Sequence, residues 1–256
     1  KSNDKYSFCY DPQMTMAVTI NGQLSLLMLI EAIVTRLDVN IIQENTDGIT
    51  FVVRKEDEKE FTLIIREWEK VTNLVMEYNY PVAIYQRDVN NYIWDFGTYT
   101  KAKGAYEVDK VVGSEPALHK DNSMKVVAHA VREYFTNDAP VEKTIQSHTN
   151  IYDFCITKRA TKGWHFSMAH QPHTNPIKLR NIKTLRYYVS NSGSVVYKCH
   201  EDGRRNYLQA GLKGKDNKGH YWKLKLFNKF KEKENYNIDY SYYIREANKL
   251  INAIER

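Results

Sequence analysis

The sequence predicts an α+β fold, and three observations carry that expectation. Apolar residues recur at three- and four-residue steps from about Glu58 to Met76, through Phe61, Ile64, Ile65, Trp68, Val71 and Val75, and again over Tyr243, Ile244, Ala247, Leu250, Ile251 and Ile254; both patterns are amphipathic helices. The β-branched runs Ile41-Ile42 and Ile49-Thr50-Phe51-Val52 flank Asn45-Thr46-Asp47-Gly48, a hairpin with Asp47 at its turn. Further strands are expected at Val82–Tyr85, Tyr92–Phe96 and Tyr99–Lys101, so the first hundred residues run helix, hairpin, helix, strands, an α+β layer arrangement.

From Thr15 to Leu37 apolar residues crowd nearly every face, which predicts a deeply buried helix begun at Asp11-Pro12. Its longest uninterrupted apolar run, Leu26 to Ile30, is shorter than a bilayer-spanning segment, and no membrane partner is expected. The texture changes after Gly104. Gly113-Ser114-Glu115-Pro116 reads as a connector, and the expected domains are 1–104 and 105–256. Helices are expected over Ser123–Phe135 and Pro140–Arg159, and a second hairpin where Tyr187–Val189 and Val195–Cys199 bracket Ser192-Gly193. Trp222, Leu224 and Leu226 alternate with Lys223 and Lys225 in a strand with one greasy and one basic face, preceded by a charged loop over Lys213–Gly219.

Composition narrows the function classes. At 256 residues, 42% hydrophobic and 27% charged, the chain has the balance of a folded protein rather than a disordered one. Cys9, Cys155 and Cys199 form no CxxC pair, which sets aside a zinc ribbon or disulfide framework and fits a reducing, cytoplasmic setting. Residues 1–100 hold 9 Lys and Arg against 15 Asp and Glu, whereas residues 101–256 hold 28 against 16. That asymmetry points the second half at a polyanion, because clustered cations release counterions from nucleic-acid phosphates.

An aspartate at a hairpin tip is placed to hold Mg²⁺, which takes hard carboxylate oxygens and keeps positions open for water and phosphate. Other signals are weaker. His165, His170 and His173 match no usual zinc spacing and read as a polar loop; most of the 19 tyrosines fit packing positions. The pairs Glu58-x-Glu60 and Glu67-x-Glu69 stand two apart on a helix, do not share a face, and read as solvated.

The order of the buried helix, the Asn45-Thr46-Asp47-Gly48 hairpin, the amphipathic helix and the Tyr-containing strand resembles the palm of family B DNA polymerases of viral or phage type, whose hairpin tip reads Asp-Thr-Asp-Ser. Thr19-Ile20-Asn21-Gly22-Gln23 is similar to the family's Thr-x-x-Gly-Arg element, Asn90-Asn91-Tyr92 to its Lys-x-Tyr motif, and Lys101-Ala102-Lys103-Gly104 to the basic turn leading from palm to thumb. The resemblance implies a palm segment over 1–104 and a mixed helix and strand thumb over 105–256. By it Asp47 is the catalytic metal ligand, Asn45, Thr46 and Gly48 complete the tip, and Thr19, Gly22 and Gln23 lie along the DNA backbone. Tyr92, Asn90 and Arg87 steady the primer end, Arg87 standing in for the family's lysine; Lys101, Lys103 and Gly104 meet phosphates. It further implies two Mg²⁺ ions, primer-template DNA and a dNTP as substrates, and a partner aspartate and nucleotide-gripping fingers in an N-terminal portion expected to precede Lys1. The chain alone is therefore expected to be inactive. A non-catalytic DNA-binding module and, behind it, a metal-dependent nuclease are the alternative readings.

Overall fold

The computed structural model describes residues 4–45, 48–108, 111–112, 115–116, 123–171, 174–208, 210–213, 219–221, 223–229 and 235–256. The fold is α+β with antiparallel sheets, and the chain divides into two compact units, Lys1–Tyr80 and Pro81–Arg256.

In the first unit, α1 (Pro12–Arg36) starts at Asp11, whose carboxylate accepts the Met14 N–H at 2.9 Å, with Pro12 in the first turn where its missing N–H costs nothing. The hairpin β1 (Asn40–Glu44) and β2 (Ile49–Val52) follows. Next comes α2 (Glu58–Thr72), stopped by Asn73 in the left-handed region. A small core of Leu29, Ile33, Ile64, Ile65 and Trp68 joins α1 to α2, with Phe51 of the hairpin packed against it. The Trp68 indole N–H donates to the Ser25 carbonyl at 2.7 Å, and Arg36 of α1 binds both Glu60 and Glu67 of α2. So two of the acidic side chains on α2 are held by an arginine.

The expected deep burial of α1 does not occur. Leu26, Leu29, Ile30 and Ile33 are buried, but Met16, Ile20, Leu24, Leu27, Met28 and Val34 are all about half exposed or more. The reason is geometric: α2 and the hairpin cover one side of a helix that is apolar on every side. The expectation about length also changes. A helix of 25 residues extends roughly 37 Å at 1.5 Å per residue, and α1 is long and apolar enough to cross a membrane by length and composition.

The second unit opens with a three-stranded meander, β3 (Ala83–Asp88), β4 (Asn91–Asp95) and β5 (Thr100–Lys103). A short pair, β6 (Val111–Val112) and β7 (Glu115–Pro116), precedes α3 (Lys125–Asn137) and α4 (Val141–Ser147). The main sheet holds β8 (Ile156–Arg159), β9 (Trp164–Ala169), β10 (Ile177–Lys178), β11 (Thr184–His200), β12 (Arg205–Tyr207) and, later in the chain, β15 (Leu224–Leu226). Between these last two, β13 (Ala210–Lys213) pairs with β14 (Gly219–Tyr221), and α5 (Tyr240–Asn252) closes the fold. The helices α3, α4 and α5 and the sheet share one core, and Ile93 and Tyr106 from the meander region lie inside it, within the second unit. Tyr243 ties the layers together: its hydroxyl donates to the Phe154 carbonyl at 2.9 Å and accepts the Val189 N–H at 2.8 Å.

Two expected elements differ. The helix expected over Pro140–Arg159 stops at Ser147; the Asn150 side chain accepts the Tyr152 N–H, a 3₁₀ turn runs Ile151–Phe154, and β8 follows. The hairpin expected at Ser192-Gly193 is a bulge within the single 17-residue strand β11. Ser190 and Asn191 there bond to the backbone of Asn237, while Gly193, at φ +137°, lets the Leu224 carbonyl approach where a side chain would overlap it.

Candidate nucleic-acid interface

In the first unit, α1 and the end of β1 frame an open cleft of about 460 Å³, lined by Ile20, Gln23, Leu24, Leu27, Glu44 and Asn45. Gln23 and Asn45, far apart in sequence, thus meet in one place. The hairpin is closed by the Asn45 N–H donating to the Gly48 carbonyl at 3.0 Å. Thr46 and Asp47 lie outside the described residues. A Cβ at Gly48 would meet the Asn45 side-chain oxygen at 3.6 Å, ordinary contact, so the site has room for the serine of the resembled family. Thr19 and Gly22 sit on α1: Thr19 donates its hydroxyl to the Thr15 carbonyl at 2.9 Å, and a Cβ at Gly22 would meet nothing.

The donors beside the cleft, the Glu44 carboxylate and the Asn45 amide oxygen, are hard oxygen ligands of the type Mg²⁺ prefers. Among the described residues no group of three or more His, Cys, Asp or Glu is gathered to hold a metal by itself. Gln43, one residue before Glu44, is 6% exposed, and its Oε1 has no hydrogen-bond partner among the described residues. No sequence pattern marks that buried oxygen.

In the second unit, the register of the meander sets Gln86 against Tyr92 and Tyr92 against Lys103, and Ile84 against Trp94 and Trp94 against Lys101. Alternation along each strand therefore puts Tyr92, Trp94, Lys101 and Lys103 on one face, while Ile93 on the other enters the core. Aromatic rings run along that face: Tyr92 stacks on Trp94 at 5.2 Å, and the Lys101 ammonium stands 5.6 Å from the Trp94 ring. Both lysines are exposed, whereas Tyr92 is 7% exposed. The Trp94 indole N–H and the Gln86 Oε1 are buried without a hydrogen-bond partner among the described residues.

The turn between β3 and β4 is organised by Asp88, which sequence reading passed over. Its carboxylate accepts from Asn91 Nδ2 at 2.8 Å, from Arg87 Nε at 2.8 Å and from the Asn90 N–H at 3.0 Å. These donors, the Asn91 amide foremost, lower the Asp88 pKa to about 2. Arg87 is thus held by its neighbour, and Asn91 reaches on to accept the Ala105 N–H at 2.9 Å. Gly104, at φ +71°, is required there, because a side chain would overlap the Asn90 carbonyl and the Asn91 amide. Arg87, Asn90, Tyr92, Lys101, Lys103 and Gly104 accordingly belong to one small module. The Asp-x-x-Asn spacing of Asp88 and Asn91, an Asx-type turn, was the available signal.

Of the three histidines set aside, His165 lies on β9, His170 is exposed, and His173 lies outside the described residues. Compared with protein-family models and with curated proteins, the chain matches none.

Proposed function

We propose that the chain is the palm and thumb portion of a family B DNA polymerase of viral or phage type, carrying Asp47 as one of two metal-binding aspartates for template-directed DNA synthesis. The observation that carries this reading is the β1–β2 hairpin. Its closing hydrogen bond joins Asn45 to Gly48, the residues flanking Thr46 and Asp47, and Asn45 shares its cleft with Gln23, the residue matched to the family's backbone-binding element. That two residues so far apart in sequence line one cleft supports the reading.

In this reading residues 1–104 serve as palm and 105–256 as thumb. Bound Mg²⁺ ions supply charge neutralisation at the α-phosphate and activation of the primer 3′-hydroxyl. Asp47 holds metal together with an aspartate from another portion of the polymerase, since a single carboxylate cannot clamp both ions. Gln23 and Asn45 position the DNA strand by neutral hydrogen bonds. Lys101 and Lys103 act on phosphates as point charges, with Tyr92 and the Arg87–Asp88 turn fixing the strand that presents them. The fold places the two lysines opposite an aromatic pair, which fits a surface that meets a sugar-phosphate backbone.

Primer extension tests the proposal. The 256-residue chain alone extends no primer, whereas the same chain joined to a portion bearing the first aspartate and the fingers does, in Mg²⁺. Extension by the chain alone, or equal extension after Asp47→Ala in the joined protein, would overturn it.

A further inference from the structure

After α2 the chain runs from Asn73 to Pro81 without helix, turn or bend, and among the described residues it joins no sheet. Val75, Tyr78 and Tyr80 are nevertheless residues that strands favour. The side chains alternate as an extended chain requires: Met76 packs against the small core while its neighbour Val75 is 90% exposed. The rings of Tyr78 and Tyr80, two residues apart, stack nearly parallel at 6.3 Å, and both residues are exposed.

The backbone divides in the same way. The Met76 N–H turns inward and donates to the Glu69 carboxylate at 2.7 Å, so in an extended chain the peptide groups of Val75, Glu77 and Asn79 point to the opposite side. Among the described residues none of those N–H or C=O groups is hydrogen bonded. An exposed strand with unpaired peptide groups is a template for another strand.

We infer that Val75–Tyr80 is a strand-pairing surface whose occupant is the same segment of a second copy, set antiparallel about a two-fold axis at Tyr78. Self-complementarity selects that occupant. With the axis at Tyr78, Glu77 of one copy and Asn79 of the other exchange N–H···O bonds, twice by symmetry, using the groups that point outward. The side chains agree with this register, since Tyr78 faces Tyr78, Met76 faces Tyr80, and the Glu77 carboxylate faces the Asn79 amide. No like charges meet. Moved one residue earlier, the axis would set Glu77 against Glu77. Pro81, which has no N–H to give, bounds the paired length. Two strands this short are marginal alone, so the association is weak and reversible. The inference stands apart from the polymerase reading, as it uses neither Asp47 nor DNA.

Sedimentation velocity of the 256-residue chain over a wide concentration series tests it. The native chain moves from monomer towards dimer as concentration rises. Asn79→Asp brings the net charge of +6 closer to zero, yet it sets two pairs of carboxylates against each other and raises the dimer Kd by about three- to tenfold. Asn79→Lys lowers it by a similar factor. Asn79→Pro removes the N–H that each copy gives, and leaves a monomer at every concentration with a native circular dichroism spectrum. Should that variant disturb the fold, the opposite signs of the other two decide alone. A control on the exposed face of α1, Gln13→Glu, leaves the Kd unchanged. A native chain that stays monomeric, a dimer indifferent to a natively folded Asn79→Pro, the same direction of change for Asn79→Asp and Asn79→Lys, or an equal effect of Gln13→Glu would overturn the inference.

Discussion

The two units of this chain spend their apolar residues in opposite ways. Among the described residues of Lys1–Tyr80, five buried residues form the core, and the apolar helix α1 turns Met16, Ile20, Leu24, Leu27, Met28 and Val34 outward. Among the described residues of Pro81–Arg256 a cluster of 25 buried residues runs continuously from the meander through α3, the main sheet and α5. Charge divides the same way: residues 1–80 hold 8 Lys and Arg against 13 Asp and Glu, and residues 81–256 hold 29 against 18. The difference teaches that apolar sequence content does not measure burial. A helix is buried only as far as its neighbours reach, and the first unit has too few neighbours to enclose α1.

The sharpest way to break this comparison is to remove the largest side chain from the small core. Trp68→Ala is expected to cost about 3–5 kcal/mol, a large share of the stability a small unit has. Hydrogen exchange followed peptide by peptide will show faster exchange over Pro12–Thr72 and unchanged protection over Lys125–Asn252; equal acceleration in both would deny that the units are energetically distinct. A smaller effect is expected in the large core. Tyr243→Phe leaves the buried Val189 N–H without its acceptor and the Phe154 carbonyl without its donor, a loss of about 1–3 kcal/mol seen as a lower urea midpoint with an unchanged slope. Gly104→Ala forces a side chain into the left-handed region against Asn90 and Asn91 and is expected to cost about 1–3 kcal/mol, with local loss of protection at Ala105.

The gentlest perturbation is pH. Asp88 has a pKa lowered to about 2, so its contribution to the β3–β4 turn is present above the unfolded carboxylate value near 4 and is lost as pH falls through about 2. The Asn90 amide resonance will titrate with a midpoint near pH 2, and Asp88→Asn will abolish the titration.

Much of the architecture was legible because periodicity reports local geometry. The apolar steps of Ile64, Ile65 and Trp68 and of Tyr243, Ala247 and Ile251 mark the faces that α2 and α5 bury, and the strands of the meander fall where β-branched and aromatic residues cluster. The misreadings share a cause: tertiary partners decided them. Ser192-Gly193 carries a turn signal, yet the backbone of Asn237 and the Leu224 carbonyl use it to bulge a continuous strand. Val141 begins a helix that β11 interrupts by recruiting Ile156–Arg159 as a neighbour. At the candidate site, Gln23 and Asn45 could be named from motif resemblance and Asp88 from its local Asp-x-x-Asn spacing, whereas Gln43 and Trp94 depend on burial and long-range register that spacing does not encode.

Single-nucleotide incorporation by the chain joined to a portion bearing the first aspartate and the fingers, with Asp47→Asn, tests the proposed polymerase function most directly. Loss of one metal-binding carboxylate is predicted to lower the incorporation rate by at least about 10²-fold, from several kcal/mol of lost charge stabilisation, while the dissociation constant for primer-template changes less than about threefold. Incorporation at the native rate, with the same affinity, would contradict the assignment of Asp47.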